Sequence, residues 1–356
     1  MYSYNGVLLI KIFFSAGVYN MIDLRSDTVT KPSQAMREAM CRAEVGDDIM
    51  GEDPTVNRLE EFSADLLGFE AALFVNSGTQ GNFLSVLAHC NRGEEVIAGK
   101  ESHLIKWEAG GTAVLGGVCA TPIDFELDGT LDLKKIKGSI KPDDQHFAIT
   151  KLLALENTQG GKVLPLSYLE QASHLVKEHR LKMHLDGARI FNAAVFLNCP
   201  VKEIARFFDS VTFCLSKGLG APAGSIICGN KDFIAKARRL RKMIGGSMRQ
   251  SGIIAAGGLF ALEHHVARLK EDHENASYLA QGLSQIKSLH GKVESHTNMV
   301  FVEVGAMGGR LAEFLYSKGI KIWAKETLRL VTHLDVSRKD MDRVIAAFQE
   351  FYSLLA

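Results

Sequence analysis

The stretch Lys182-Met183-His184-Leu185-Asp186-Gly187-Ala188-Arg189 decides the fold class. An apolar run ends there on a carboxylate, and glycine follows at once, which predicts a buried strand that gives way to a turn. A second, largely apolar run covers residues 210–216 and ends on Lys217, and Gly218-Leu219-Gly220 follows it. The separation of 31 residues between Asp186 and Lys217 suffices for one strand–helix–strand crossover. Both charged residues are therefore expected at the carboxyl edge of a parallel sheet, where ligands bind in open α/β folds.

A carboxylate and a lysine at that edge have a structural and a chemical interpretation. Taken alone, an aspartate at a strand end often caps the next helix, and a lysine there is often solvated. Together they favour pyridoxal phosphate (PLP), because Lys217 can form a Schiff base and Asp186 can hold the pyridinium nitrogen. His184 and Asp186 also offer metal ligands on one strand face. No third ligand with convincing spacing accompanies them, so no metal is expected.

Composition describes an ordinary globular enzyme. The 356 residues are 46% hydrophobic and 23% charged, and this length is enough for two domains that share a substantial core. Lys+Arg and Asp+Glu both number 41, so the net charge gives no indication of a nucleic-acid or membrane partner. The six cysteines form no C-x-x-C pair and are expected to be reduced thiols in a cytoplasmic protein.

Residues 1–20 differ in character from the rest of the chain. Lys11 interrupts the apolar run at residues 7–14, and the run is shorter than the about 20 residues that a membrane span needs. It also lacks the basic start and cleavage site of a signal peptide. We expect residues 1–20 to be an upstream start or a dispensable extension, and a chain that starts at Met21 to fold and remain active.

From Met21 onward, strand-like and helix-like segments alternate. This pattern predicts an α/β protein with a large, mostly parallel sheet covered by helices. After about Glu263 a long polar helix pattern runs to about Ile286, and a smaller unit comes after it. We predict a large domain over residues 21–262 and a smaller C-terminal α/β domain over residues 263–356. The basic run at residues 236–242 is expected to be a solvated helix face.

Two further segments suit a PLP site. Ser77-Gly78-Thr79 lies between a predicted strand and a predicted helix start, where free N–H groups and the helix dipole favour an anion. Alone this is a common N-cap with a loop glycine, but beside Lys217 it becomes a candidate cradle for the cofactor phosphate. His103 comes after another predicted strand, and its imidazole could stack on the pyridine ring or lie at the surface.

These motifs resemble the low-specificity L-threonine aldolases, which are PLP enzymes of fold type I, the aspartate-aminotransferase-like fold. The resemblance extends from Met21 essentially to the carboxyl terminus. It rests on the segments Met21-Ile22-Asp23-Leu24-Arg25-Ser26-Asp27-Thr28-Val29-Thr30-Lys31-Pro32, Asn76-Ser77-Gly78-Thr79-Gln80-Gly81-Asn82, His184-Leu185-Asp186-Gly187-Ala188-Arg189, Cys214-Leu215-Ser216-Lys217-Gly218-Leu219-Gly220, Met248-Arg249-Gln250-Ser251-Gly252 and Arg329-Leu330-Val331-Thr332-His333.

The resemblance implies retro-aldol cleavage of L-threonine or L-allo-threonine to glycine and acetaldehyde. It implies that Lys217 carries PLP, that Asp186 pairs with the ring nitrogen and that His103 stacks on the ring. The other implied ligands of cofactor and substrate are Gly78 and Thr79 for the phosphate, and Ser26, Arg189 and Arg329 for the α-carboxylate, with Arg189 also beside the cofactor.

Several points stay open at this level. The base that takes the β-hydroxyl proton is His103, His146 or a bound water. The resemblance implies that Lys242 and Arg249 reach an active site, either this chain's own or that of a neighbouring subunit in a homodimer or homotetramer. Another PLP reaction on a small amino acid, such as that of a β-lyase or a transaminase, is the alternative function, because one fold serves many reactions.

Overall fold

The computed structural model describes residues 21–355, so the prediction for residues 1–20 lies outside the described residues. The strands of this part of the chain are β1 (Ile22–Asp23), β2 (Ala71–Val75), β3 (Glu94–Gly99), β4 (Cys119–Ile123), β5 (Ile149–Glu156), β6 (Lys182–Asp186), β7 (Ser210–Cys214), β8 (Ser225–Gly229), β9 (Val293–His296), β10 (Met299–Glu303), β11 (Ile320–Lys321) and β12 (Thr327–Val331).

The helices cover both the large sheet and a smaller one. They are α1 (Gln34–Cys41), α2 (Pro54–Leu67), α3 (Gly78–His89), α4 (His103–Lys106), α5 (Gly111–Val114), α6 (Leu133–Ser139), α7 (Leu166–Glu178), α8 (Ile190–Leu197), α9 (Lys202–Ala205), α10 (Lys231–Met243), α11 (Gly252–His264), α12 (Leu269–Ser284), α13 (Gly308–Ser317) and α14 (Arg338–Ser353).

Seven strands form the large sheet, in the order β2-β8-β7-β6-β5-β3-β4. The pairs from β4 to β7 are parallel, and β8 is antiparallel to both β7 and β2. Met183, His184 and Leu185 of β6 are all buried, because helices cover both faces of the sheet and leave no solvated side for alternation. The predicted α/β class with a large, mostly parallel sheet is confirmed.

A three-stranded antiparallel sheet, in the order β12-β10-β9, forms a second unit. Its apolar side chains pack with those of α12, α13 and α14 in a separate core. Ile22 and Leu24 belong to this second core, and β1 pairs with β11. The segment that begins at residue 21 therefore packs in the smaller unit, and the predicted domain boundary after residue 262 stays a prediction.

Two predicted elements exist, but their bounds differ from the expected ones. Strand β7 ends at Cys214 rather than at Lys217, since the backbone bends over residues 215–217 and Gly220 N then closes a turn by donating to Lys217 O. The long polar helix expected from about Glu263 to about Ile286 is α12, which begins later, at Leu269, and ends at Ser284.

The basic run in α10 is not simply a solvated face. Arg241 is buried, and its Nη2 donates to Asp48 Oδ2 at 2.8 Å. Arg238 Nη2 donates to Glu60 Oε2 at 2.5 Å. We call Arg238, Arg241, Asp48 and Glu60 the arginine cluster. The cluster ties α10 to α2 and to the segment before it, which explains why Arg241 is buried while Arg238 stays partly exposed. Among residues 21–355, no helix combines the length and apolar character that crossing a membrane requires.

Candidate active site

The two residues that define the predicted cofactor site, Asp186 and Lys217, lie at the carboxyl edge of the large sheet. Asp186 is the last residue of β6 and is buried. Its register partner on β5 is Glu156, and Lys217 lies three residues after the end of the next parallel strand, β7. The backbone N–H of Ala188 donates to Asp186 Oδ1 at 3.1 Å. The turn after β6 therefore fixes one carboxylate oxygen and leaves the group at the edge where ligands bind.

The second oxygen of Asp186 is held by an amide from helix α3. Asn82 Nδ2 donates to Asp186 Oδ2 at 2.6 Å and to Glu108 Oε1 at 2.8 Å. Asn82 and Glu108 are both buried. One amide thus bridges two carboxylates that would otherwise repel each other in a poorly solvated place.

Glu108 in turn holds His103, the first residue of α4. The distance between His103 Nδ1 and Glu108 Oε1 is 2.7 Å. This hydrogen bond raises the pKa of His103, against the opposing effect of its burial. Burial raises the pKa of Glu108, although the hydrogen bond from His103 opposes this. We call Asp186, Glu108, Asn82 and His103 the acid cluster.

A line of polar side chains lies behind Asn82. His184 Nε2 is 3.4 Å from Asn82 Oδ1, and His184 Nδ1 is 2.8 Å from Ser210 Oγ. Burial lowers the pKa of His184 to about 3, so the ring is neutral. Because Asn82 Oδ1 can only accept, we assign the ring proton of His184 to Nε2. His184, whose side chain could also have suited a metal, is a hydrogen-bond donor that fixes the orientation of the Asn82 amide.

The positive charge of Lys217 affects the pKa values of acidic residues at this edge of the sheet. Burial would raise the pKa of Asp27, but the charges of Arg189 and Lys217 outweigh it and hold that pKa well below its usual range. Burial, and then the neighbouring Asp186 carboxylate, raise the pKa of Glu156 to about 7, and the Lys217 charge opposes them. Lys217 therefore lies near enough to Asp27, Glu156 and His103 for its charge to affect the pKa of each.

Helix α3 presents its N-terminus beside β7 and β8. Ser77 caps the helix by accepting from Gln80 N at 3.2 Å, while the amides of Gly78 and Thr79 lie in the first turn, where no intrahelical acceptor exists. A Cβ added to Gly78 would lie 2.8 Å from Cys214 Sγ. Glycine at this position therefore allows the helix end to approach the strand that leads to Lys217, as an anion cradle requires.

The two arginines predicted to bind the substrate carboxylate have different surroundings. Arg189 Nε and Nη2 donate to the two oxygens of Asp27 at 2.7 and 2.6 Å. Arg329 forms no salt bridge with the described residues, and its Nη2 lies 3.4 Å from Arg25 O. Burial, and then the charge of Arg189, lower the pKa of Arg329. Ser26 precedes Asp27 and caps a short turn by accepting from Thr28 N.

Three predicted site residues lie elsewhere in this chain. His146 is exposed in the loop after α6, with Nδ1 2.6 Å from Asp144 Oδ1. Lys242 is exposed at the end of α10. Arg249 is exposed, and its Nη1 donates to Asp47 Oδ2 at 2.7 Å. Within residues 21–355, no hydrogen bond or salt bridge joins these three residues to the acid cluster, so their predicted roles stay predictions.

The residues at this edge fit PLP. Lys217 supplies the amine for its aldehyde, Asp186 the carboxylate for its ring nitrogen, and the first turn of α3 the amides for its phosphate. Glu108 Oε2 is buried without a hydrogen-bond partner among residues 21–355, so it is available for a further polar contact at the same place.

His103, Glu108 and Asp186 could also approach a common metal ion, since their ligand atoms lie within 4.8 Å of one another. The hydrogen bonds already made within the acid cluster account for this proximity.

A mostly parallel sheet with an amine, a carboxylate and a helix N-terminus at its carboxyl edge defines the class of fold type I PLP enzymes. The family model for beta-eliminating lyases matches residues 23–306. The chain is 53% identical over 332 residues to the low specificity L-threonine aldolase of Escherichia coli K12, covering 93% of this chain and 99% of that protein. It is 46% identical to the probable low-specificity L-threonine aldolase 2 of Arabidopsis thaliana, covering 93% of this chain and 97% of that protein.

A solved structure of another threonine aldolase has a similar fold. The threonine aldolase of Leishmania major aligns with a TM-score of 0.79 at 22% identity, over 93% of this chain and 99% of that chain. At that identity the likeness shows the fold alone. The sequence matches carry the assignment: the chain belongs to the beta-eliminating lyase family and, within it, to the low-specificity L-threonine aldolases.

Sequence reasoning assigned no role to three residues that build the site. Asn82 stands within a longer motif, and its position four residues after Gly78, on the same face of α3, was the one available signal. Glu108 lies five residues after His103 and carried no signal of burial. Asp27 stands next to Ser26, but nothing in the local sequence indicated its pairing with Arg189.

Proposed function

We propose that this protein binds PLP through Lys217 and cleaves L-threonine to glycine and acetaldehyde. The proposal joins membership of the low-specificity L-threonine aldolase family to a site whose residues suit that reaction. When bound, PLP supplies an electron sink that accepts the electron pair of the broken Cα–Cβ bond. The chain's own residues must then hold the substrate, align that bond and move two protons.

The single observation that carries the substrate class is the contrast between the two arginines. Asp27 occupies Nε and Nη2 of Arg189, whereas the guanidinium of Arg329 forms no ion pair with a carboxylate among the described residues. A partly buried guanidinium without an acidic partner is costly unless a ligand supplies the anion. We assign the α-carboxylate of the substrate to Arg329, with Arg189 as the residue that holds Asp27 beside it.

Proton movement is assigned to the other side of the site. The β-hydroxyl must lose its proton as the Cα–Cβ bond breaks, and glycine must gain one at Cα. His103 is the candidate base that already lies in the acid cluster, since its Nδ1 is engaged by Glu108 at 2.7 Å and its ring remains partly exposed. His146 and a bound water stay as the other candidates.

The test is a product assay with purified protein, PLP and L-threonine. Glycine and acetaldehyde should form in equal amounts, and L-allo-threonine should give the same two products. A transaminase would instead form a keto acid from threonine and need an amino-group acceptor, and a β-lyase would release ammonia. Either of those product patterns, without acetaldehyde, would contradict the proposal.

We also propose that the protein works as a homodimer or homotetramer in which Lys242 and Arg249 serve a neighbouring subunit's site. Their exposure at the end of α10 and beyond it supports this assignment. Mixing an inactive Lys217→Ala protein with an inactive Arg249→Ala protein tests it. Recovery of activity in mixed oligomers is expected, and its absence in oligomers that demonstrably exchange subunits would contradict it.

A further inference from the structure

Asn82 occupies an unusual position among the buried side chains of this protein. Its amide nitrogen donates to Asp186 Oδ2 at 2.6 Å and to Glu108 Oε1 at 2.8 Å. Its oxygen lies 3.4 Å from His184 Nε2. Only 2% of Asn82 is exposed, so bulk water does not compete for these contacts. One side chain of α3 thus joins three polar residues, two from β6 and one from the segment after α4.

We infer that Asn82 is a positioning residue of the cofactor site, which holds Asp186 for the ring nitrogen and, through Glu108, holds His103 for the ring face. The inference rests on the proposed PLP chemistry and deepens it by naming what orients the two residues that contact the ring. The side-chain hydrogen bonds of Asn82 go to the acid cluster and to His184, not to Lys217.

Charge explains why an amide is needed there. Asp186 and Glu108 approach the same amide nitrogen, and two carboxylates that close would share a proton unless a donor lay between them. A proton on Asp186 would remove the negative charge that keeps a pyridine nitrogen protonated. The Nδ2 group has two N–H donors and can serve both carboxylates at once, and the neutral His184 ring fixes the amide so that these donors, not the oxygen, face the acids.

The position of Asn82 on α3 also relates it to the candidate phosphate cradle at Gly78. Gly78 and Asn82 are four residues apart on α3, which places them on one face, separated by a rise of about 6 Å. The same helix therefore offers backbone amides at its first turn for a phosphate and a side-chain amide one turn later for the partner of the ring nitrogen. A rigid element that spans both ends of the cofactor pre-organises the site.

The experiment measures cofactor affinity of the full-length apo-protein, by titration with PLP and with an analogue in which carbon replaces the ring nitrogen. In Asn82→Ala the Kd for PLP should rise about tenfold or more, since a hydrogen bond to a charged group is lost. The Kd for the carbon analogue should rise less than about threefold, because that ring gives Asp186 nothing to pair with. Ser85→Ala is the matched control, as Ser85 is buried on the same helix and its hydroxyl bonds to Gly81 O and Thr212, and it should change neither Kd.

Equal losses for PLP and for the carbon analogue, or no loss for either, would overturn the inference and make Asn82 a structural residue. Thermal unfolding of the apo-protein checks folding. If Asn82→Ala does not fold, Asn82→Ser, whose short hydroxyl cannot bridge both carboxylates, should give the same unequal pattern. Failure of the unaltered protein to bind PLP would overturn the proposed function as well, whereas equal losses overturn the inference alone.

Discussion

The arginine cluster and the acid cluster differ in the partners that their carboxylates have. In the arginine cluster each carboxylate faces a guanidinium, as Arg241 with Asp48 at 2.8 Å and Arg238 with Glu60 at 2.5 Å. In the acid cluster two carboxylates share one amide, and Glu108 Oε2 has no partner within residues 21–355. In the first arrangement every carboxylate is ion-paired, although Arg241 Nε is buried without a partner among the described residues, whereas in the second a carboxylate oxygen is left without one at the sheet edge that carries Lys217. We therefore expect the ion pairs of the arginine cluster to serve stability, and the acid cluster, whose carboxylates lack a cationic partner of their own, to serve ligand binding.

The largest expected effect comes from removing the amine at the open site. Lys217→Ala should lower kcat/KM for L-threonine by roughly a thousandfold or more, since the group that bonds the cofactor is lost. Thermal unfolding of the apo-protein should change little, because Lys217 is only half-buried and its ammonium appears in no salt bridge with the described residues. A large loss of stability with only a modest loss of turnover would mean that Lys217 is a structural residue and not the residue that bonds the cofactor.

The opposite pattern is expected in the arginine cluster. Arg241→Met should lower the free energy of unfolding by about 3–5 kcal/mol, because it leaves the buried Asp48 with no cation nearer than Arg238 Nη1, 4.0 Å away. Arg239→Met, on the exposed side of the same helix, is the control and should cost less than about 0.5 kcal/mol. Denaturant unfolding of both variants measures the difference. Near-equal stabilities would mean that the Arg241 ion pair is not structural.

Arg329→Lys tests the arginine that has no acidic partner among the described residues. Lysine keeps the charge but loses the bidentate fork, so kcat/KM for L-threonine should fall about tenfold to a hundredfold, which corresponds to about 1.5–3 kcal/mol. The cofactor spectrum and thermal stability should remain normal. If PLP binding is lost instead, or if kcat/KM is unchanged, Arg329 does not bind the substrate carboxylate.

The smallest effect concerns pH. The hydrogen bond that His103 donates to Glu108 raises the pKa of His103, so Glu108→Gln, which removes the negative acceptor, should shift the His103 titration to lower pH. Nuclear magnetic resonance of the ring protons in the apo-protein measures this shift. His265, whose pKa is lowered by its own burial, is an internal control and should titrate as before. An upward shift of His103, or none, would remove Glu108 from its proposed role.

The parts of this site that sequence could predict are those encoded by neighbours in the chain. Asp186 was found because a buried strand and a glycine turn flank it, and Gly78 because a strand runs directly into a helix. The contact between Asn82 and Asp186 joins residues 104 positions apart, and that between Arg241 and Asp48 spans 193 positions. No local pattern encodes such pairs, since the packing of α3 on β6, and of α10 against the segment before α2, creates them.

The same reason explains the errors in local detail. A run of apolar residues indicates burial but not whether the backbone remains extended, so β7 was expected to reach Lys217 although it ends at Cys214. A charged helix pattern likewise indicates amphipathic character but not which arginine turns inward. Arg239 and Arg241 differ by two positions, and only the second meets a buried carboxylate.

The most direct test of the account is reductive labelling of the protein as it binds its cofactor. Borohydride treatment of the PLP-loaded protein should fix the cofactor on one lysine, and peptide mapping should place the label on Lys217. The label should be absent from Lys217→Ala and present in Arg241→Lys, which alters the arginine cluster but not the sheet edge. Label on Lys242, or on no lysine at all, would contradict the assignment of this edge as the active site.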